Sequence, residues 1–120
     1  MKVRLTKEFR FEASHRLAHL PSDHPCYRLH GHSYRVEIEV YGEVDQATGF
    51  LIDYGDIKRI VKPVIAQLDH HHLNDIDEMQ TTSAEHIVYW IWNQLKPHLP
   101  QLSRVTLFET DSTSCEYRGE

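Results

Sequence analysis

Residues 2–14 read KVRLTKEFRFEAS, and the stretch alternates. Val3, Leu5, Phe9, Phe11 and Ala13 take odd positions, while Lys2, Arg4, Thr6, Glu8, Arg10, Glu12 and Ser14 take even ones; Lys7 alone breaks the pattern. Successive strand side chains point to opposite faces, so the stretch predicts a strand with one buried face and one wet one. Residues 33–43 repeat the pattern with parity reversed. Tyr34, Val36, Ile38 and Val40 point one way, and Ser33, Arg35, Glu37, Glu39 and Tyr41 the other.

Beyond this pair the period changes. After turn chemistry at Asp45 to Gly49, Asp53 can cap a helix over roughly 54–68. Its apolar residues Ile57, Ile60, Val61, Val64, Ile65 and Leu68 recur at helical spacing, with Pro63 expected to kink it or shift its start. Thr82 and Glu85 form a capping-box pattern for a second helix, whose stripe is Ala84, Ile87, Val88, Ile91 and Leu95. Val105 and Leu107 mark a third strand, Cys115 and Tyr117 a fourth, joined by a turn at Asp111-Ser112-Thr113. The order strand, strand, helix, helix, strand, strand predicts an α+β fold: a four-stranded antiparallel sheet with two helices on one face. Such a sheet keeps two open edges. Pairing them between subunits would close a barrel, so a homo-oligomer is expected.

The 120 residues are expected to form a single domain, 1–120, with 40% hydrophobic residues supplying one modest core. With 13 basic and 18 acidic residues and a formal charge of -5, the chain does not read as a general binder of nucleic acid or anionic membrane. Met1-Lys2-Val3-Arg4 reads as neither signal peptide nor membrane span. A cytoplasmic location follows as an expectation, with Cys26 and Cys115 as free thiols. Ten histidines are the compositional oddity.

Strand parity explains three of them. His15 continues the inward register of the first strand, and His30 and His32 precede Tyr34 on the inward register of the second. Three neutral imidazoles suit zinc, and three protein ligands with an open fourth position mark a catalytic site rather than a structural one. The competing reading is three hydrogen-bonded core histidines. Gly31, between two of the ligands, could let backbone approach the ion or a substrate closely. His19, His24, His86 and His98 read as solvated.

Three further positions carry chemistry. Cys26 lies four residues before His30; beside a metal and a cationic group a thiol becomes a usable base. A packing residue or a fourth ligand is the competing reading, and the base is favoured over it. Asp69 can orient and strengthen His70 as a base, although adjacent residues rarely bond side chain to side chain; a polar helix end is the competing reading, and the plainer one for His71 and His72. Glu109 continues the inward face of Val105 and Leu107. An inward carboxylate invites a guanidine-like N–H pair, unless the strand has already reached solvent there.

These motifs together resemble the 6-pyruvoyltetrahydropterin synthase family. The resemblance rests on FEASHRL (11–17), CYRLHGHSY (26–34), GEVDQATGFLIDYGDIK (42–58), LDHHHLND (68–75), TSAEHIVYWIW (82–92) and FETDSTSCEYRG (108–119). The C-x3-HGH spacing and the short N-terminus are similar to the family's bacterial 6-carboxytetrahydropterin synthase branch. The resemblance implies the tunnelling fold, with trimers closing a barrel, two barrels stacking into a hexamer, and sites between subunits. It implies one zinc per subunit on His15, His30 and His32, Cys26 as base assisted by Asp69 and His70, Glu109 as pterin anchor, and Thr82 and Ser83 as ring contacts. The implied substrate is 7,8-dihydroneopterin triphosphate, with Arg16 and Arg28 as candidate phosphate contacts. The implied products are 6-carboxytetrahydropterin, acetaldehyde and triphosphate, in queuosine biosynthesis. Three rivals stand beside this: a synthase that stops at the 6-pyruvoyl product, a non-catalytic zinc- or pterin-binding module, and a generic three-histidine zinc hydrolase, which gives Cys26 and Glu109 no role.

Overall fold

The computed structural model of the chain describes residues 1–79 and 81–120. Strand β1 runs Lys2–His15 and β2 His30–Glu43; α1 spans Tyr54–Ala66, β3 His71–His72, α2 Ala84–Leu95, β4 Leu102–Thr110 and β5 Thr113–Tyr117. The sheet order is β3-β1-β2-β4-β5. All neighbours are antiparallel except β3, which lies parallel to β1. The predicted α+β architecture is present.

The alternation of β1 and β2 does what its parity requires. Phe11 and Ala13 on one strand, and Tyr34, Val36, Ile38 and Val40 on the other, are buried on the face that receives the helices. Phe11 sits opposite Tyr34, and the two rings stack at 4.6 Å. α1 turns Ile57, Val61, Val64 and Ile65 inward, and α2 turns in Ile87, Val88, Trp90, Ile91, Trp92 and Leu95. Lys7, the exception in β1, faces inward too, its ammonium 5.7 Å from the Phe9 ring centre, so the aliphatic stem covers apolar surface.

The other face is charged and paired. Arg35 bonds Glu8 at 3.0 Å, and Arg104 reaches Glu39 at 3.3 Å and Glu116 at 3.5 Å. Glu39, expected on the wet face, is 9% exposed. A register shift between Glu39 and Val40 turns it against Arg104 and the Ser103 hydroxyl.

Several boundaries differ from expectation. α1 ends at Ala66, keeps Pro63 inside it, and is capped by Asp53, whose Oδ1 accepts the Gly55 N–H at 2.7 Å. The N-cap of α2 is Ser83 rather than Thr82, so the capping box does not form. The sheet has five strands rather than four. His71 and His72, read as a polar helix end, pair with Ala13 and Ser14 because the chain leaving α1 returns along the free edge of β1. The Glu12 carbonyl accepts the His70 N–H at 2.6 Å, and Asp69 Oδ1 accepts the Glu12 N–H at 2.9 Å. Among the described residues, no helix is long and apolar enough to cross a membrane.

Candidate metal centre

Register builds the centre. His15 lies directly opposite His30, and His32 lies opposite Ala13, so all three rings leave the buried face at one end of the β1–β2 pair. Their ring centres are 4.5 to 5.1 Å apart. The candidate ligand atoms all lie within 4.8 Å of one another, which one ion can span.

Tautomers follow from the backbone. His15 Nδ1 donates to the Thr82 carbonyl at 2.8 Å, and His30 Nδ1 donates to the Arg28 carbonyl at 2.7 Å. A carbonyl oxygen only accepts, so each Nδ1 carries the hydrogen and each neutral Nε2 is left with a bare lone pair. His15 Nε2 is buried and has no hydrogen-bond partner among the described residues. An unpaired buried nitrogen is costly, and a metal ion in the gap would satisfy it. Burial pushes the His15 pKa down to about 4, against the opposing pull of the Thr82 carbonyl and with help from the neighbouring imidazoles. His32 is lowered too, by burial and then by His30. Neutral rings are the metal-binding form. The donor set therefore fits zinc, with backbone carbonyls fixing two of its three rings.

Glu109 reaches this gap. Its Oε2 lies 3.4 Å from His32 Nε2 and 3.6 Å from His15 Nε2. With the His15 ring neutral these contacts are proximity rather than ion pairs. Burial, and next the Glu85 carboxylate, raise the Glu109 pKa, with His30 opposing. The inward reading of Glu109 from strand parity thus agrees with its position.

Cys26 sits in a short 3-10 turn, Pro25–Tyr27, whose first N–H groups are capped by His24: its Nδ1 accepts the Cys26 N–H at 3.0 Å. The Cys26 carbonyl accepts from Leu17 N at 2.8 Å, tying the turn to the chain beyond β1. Cys26, half-buried and unpaired with Cys115, lines a cavity of about 230 Å³ together with the three histidines, Ser83 and Glu109. The three-histidine group does not include Cys26.

Asp69 and His70 form the adjacent pair that was in question: His70 Nδ1 lies 2.9 Å from Asp69 Oδ1. His70 has φ 58, a left-handed conformation that non-glycine residues rarely adopt, and it is held there by the Glu12 backbone. The Glu12 N–H, and next His70, lower the Asp69 pKa. Yet His70 lines a different cleft, of about 500 Å³, with Glu12, Ser33 and His72, and among the described residues only His32 borders both spaces. One chain alone does not bring His70 to the cavity that Cys26 lines.

The remaining candidates divide. Ser83 lines the cavity, whereas Thr82 is buried and supports His15 through its carbonyl. Arg16 stacks its guanidinium 4.4 Å over Tyr27, and Arg28 is exposed and contributes its carbonyl to His30; neither lines the cavity. Gly31 lines the cleft of His70 rather than the cavity of Cys26, and a Cβ there would stand 3.1 Å from the Ala13 carbonyl, so the neighbouring strand needs the room. Sequence reading passed over Glu85, which lines the metal cavity and a second one of about 260 Å³ beside Glu109 and Cys115. Its place in the first turn of a helix made a capping role the obvious one. His24 and His86, read as solvated, both make hydrogen bonds.

Comparison with known proteins agrees with this geometry. A family model described as 6-pyruvoyl tetrahydropterin synthase matches residues 4–120. The chain is 35% identical to the 6-pyruvoyl tetrahydrobiopterin synthase of Pongo abelii, over 99% of this chain and 93% of that protein. It is 34% identical to the 6-carboxy-5,6,7,8-tetrahydropterin synthase of Synechocystis, over 92% and 89%. The solved 6-pyruvoyl tetrahydropterin synthase of Caenorhabditis elegans superposes with a TM-score of 0.91 at 27% identity, covering 100% of this chain and 97% of that one. With fold, histidine group and sequence in agreement along nearly its whole length, the chain belongs to the 6-pyruvoyl tetrahydropterin synthase family.

Proposed function

We propose that this protein is a zinc-dependent carbon–carbon lyase, 6-carboxy-5,6,7,8-tetrahydropterin synthase, acting on 7,8-dihydroneopterin triphosphate in queuosine biosynthesis. The observation that carries the reading is the convergence of three imidazoles, two of them with Nε2 left bare, on a cavity that Cys26 and Glu109 also line. His15, His30 and His32 would hold zinc, which would supply Lewis acidity toward the side-chain hydroxyls of the substrate. The chain supplies the rest. Cys26 removes the C1′ proton as thiolate. Glu109 accepts the paired N–H groups of the pterin ring's guanidine-like edge, which fixes the side chain against the thiol. Ser83 bounds the ring, with Thr82 behind it supporting His15 through its carbonyl, and Arg16 and Arg28, which lie outside this cavity, are the candidate contacts for the triphosphate. His70, oriented by Asp69 at 2.9 Å, moves protons as triphosphate leaves and as acetaldehyde is released, one water being consumed to complete the carboxylate.

Because Cys26 and His70 line separate clefts of one chain, the reading places the working site between subunits of a barrel-forming oligomer of single-domain chains. Its setting is the cytoplasm. The 6-pyruvoyl product is the second reading, supported by the name carried by the Pongo abelii relative. The C-x3-HGH spacing from Cys26 to His30 favours the 6-carboxy branch.

One assay separates them. Zinc-loaded protein given 7,8-dihydroneopterin triphosphate should release acetaldehyde stoichiometrically with a 6-carboxytetrahydropterin. A pyruvoyl product without acetaldehyde would move the protein to the other branch. Stoichiometric zinc with no turnover would make it a binding module.

A further inference from the structure

Ser83 occupies the N-cap of α2 without capping it. An N-cap serine ordinarily gives its oxygen to the backbone N–H two or three residues on. Here Ser83 makes no side-chain cap bond; its Oγ lies 3.0 Å from His86 Nδ1 instead. The two residues face different spaces. Ser83 lines the cavity of the three histidines and Cys26, while His86 lines a groove of about 590 Å³ along α2. That groove presents Glu78 from the segment before α2, Glu85 and Tyr89 from α2, and Tyr117 from β5.

Polarity follows from this arrangement. Glu78 and Glu85 share the groove with the ring without bonding to it, and their negative charge favours the imidazole tautomer with hydrogen on Nε2, toward the groove. Nδ1 is then bare and accepts the Ser83 O–H. With its only hydrogen committed outward, Ser83 Oγ offers lone pairs to the cavity. Its wall at that point takes a donor and not an acceptor.

We propose that His86 is a positioning residue that acts through Ser83, fixing that hydroxyl as an acceptor for an N–H group of a heterocyclic substrate in the metal cavity. The inference rests on the pterin reading above for its substrate class. It does not rest on it for the hydroxyl's direction.

The test uses the full-length zinc-loaded protein. With 7,8-dihydroneopterin triphosphate, His86→Phe, which cannot accept, should raise KM about 3- to 10-fold with kcat nearly unchanged, the size of one hydrogen bond. Ser83→Ala should do the same, and the double variant no more than either. His86→Asn, whose Oδ1 can accept near the place of Nδ1, should restore the wild-type KM. Wild-type KM in His86→Phe, or effects that multiply in the double variant, would overturn the proposal. A second measurement needs no substrate: nitrogen-15 spectra of the imidazoles, assigned with His86→Asn, should show His86 bare at Nδ1 and protonated at Nε2, and the opposite tautomer would overturn it. If the wild type turns over no pterin, the lyase reading fails by itself and the tautomer alone decides the role of His86.

Discussion

His15 is 1% exposed, and burial takes its pKa from the ordinary 6.5 to about 4. Between those values the unfolded chain binds the extra proton and the folded chain does not, so stability of the metal-free protein rises with pH across that window. The difference is at most about 3 kcal/mol, at 1.36 kcal/mol per unit. Metal-stripped protein should therefore lose urea resistance as pH falls from about 6.5 to about 4. In His15→Asn much of that slope should vanish, and an unchanged slope would remove His15 as its source. The same neutrality serves metal binding, since protons compete with the ion for Nε2. His32→Ala should lose zinc and turnover together, measured as zinc per subunit, and full activity in a metal-free protein would sink the zinc assignment. Cys26→Ala tests the other side of the cavity: zinc should stay stoichiometric while turnover disappears. Loss of the metal would instead make Cys26 a ligand.

Elements hold these residues at their spacing, and Gly31 shows how little slack there is. A methyl group at 31 would press on the Ala13 carbonyl at 3.1 Å, in the paired stretch between His30 and His32. The contact is backbone in a ladder, so it cannot rotate away. Gly31→Ala should cost about 1–3 kcal/mol of stability and also weaken zinc binding in a competition titration. Unaltered melting and affinity would show that the ladder gives way at Ala13. Much at this scale was legible from parity: the inward run Phe11, Ala13, His15 and its partner run His30, His32, Tyr34 needed only a period of two. What escaped depended on contacts that no local period encodes. His71 and His72 become a strand only because Ala13 and Ser14 offer them an edge 58 residues away. Glu39 is buried by a bulge, and Ser83 displaces Thr82 as N-cap while Thr82 turns its carbonyl to His15. The Asp69–His70 bond requires a left-handed residue, which the sequence does not announce without a glycine.

At the scale of the whole molecule two sheet edges are open to a partner strand. β3 covers β1 only at Ala13 and Ser14, so the outer edge of β1 over residues 2–12 has no strand partner among the described residues; β5 lacks an outer neighbour as well. Long unpaired edges recruit other strands. Asp69 and His70 hang on the β1 edge at Glu12, and Thr113, which starts β5, lines the metal cavity. Joining the β1 edge of one copy to the β5 edge of the next would carry His70 of one chain toward Cys26 of its neighbour. The charged face, with Glu8, Arg35, Glu39 and Arg104 already paired, would then line the closed barrel. This arrangement predicts complementation. Cys26→Ala and His70→Ala should each be inactive alone, yet subunits mixed by denaturation and refolding should regain about a quarter of wild-type activity, the share of random interfaces that keep both residues in a cyclic assembly. Light scattering on the same mixture would give the subunit count. If mixing restores nothing while the assembly forms, Cys26 and His70 meet within one chain or not at all, and the edge-joined site is wrong.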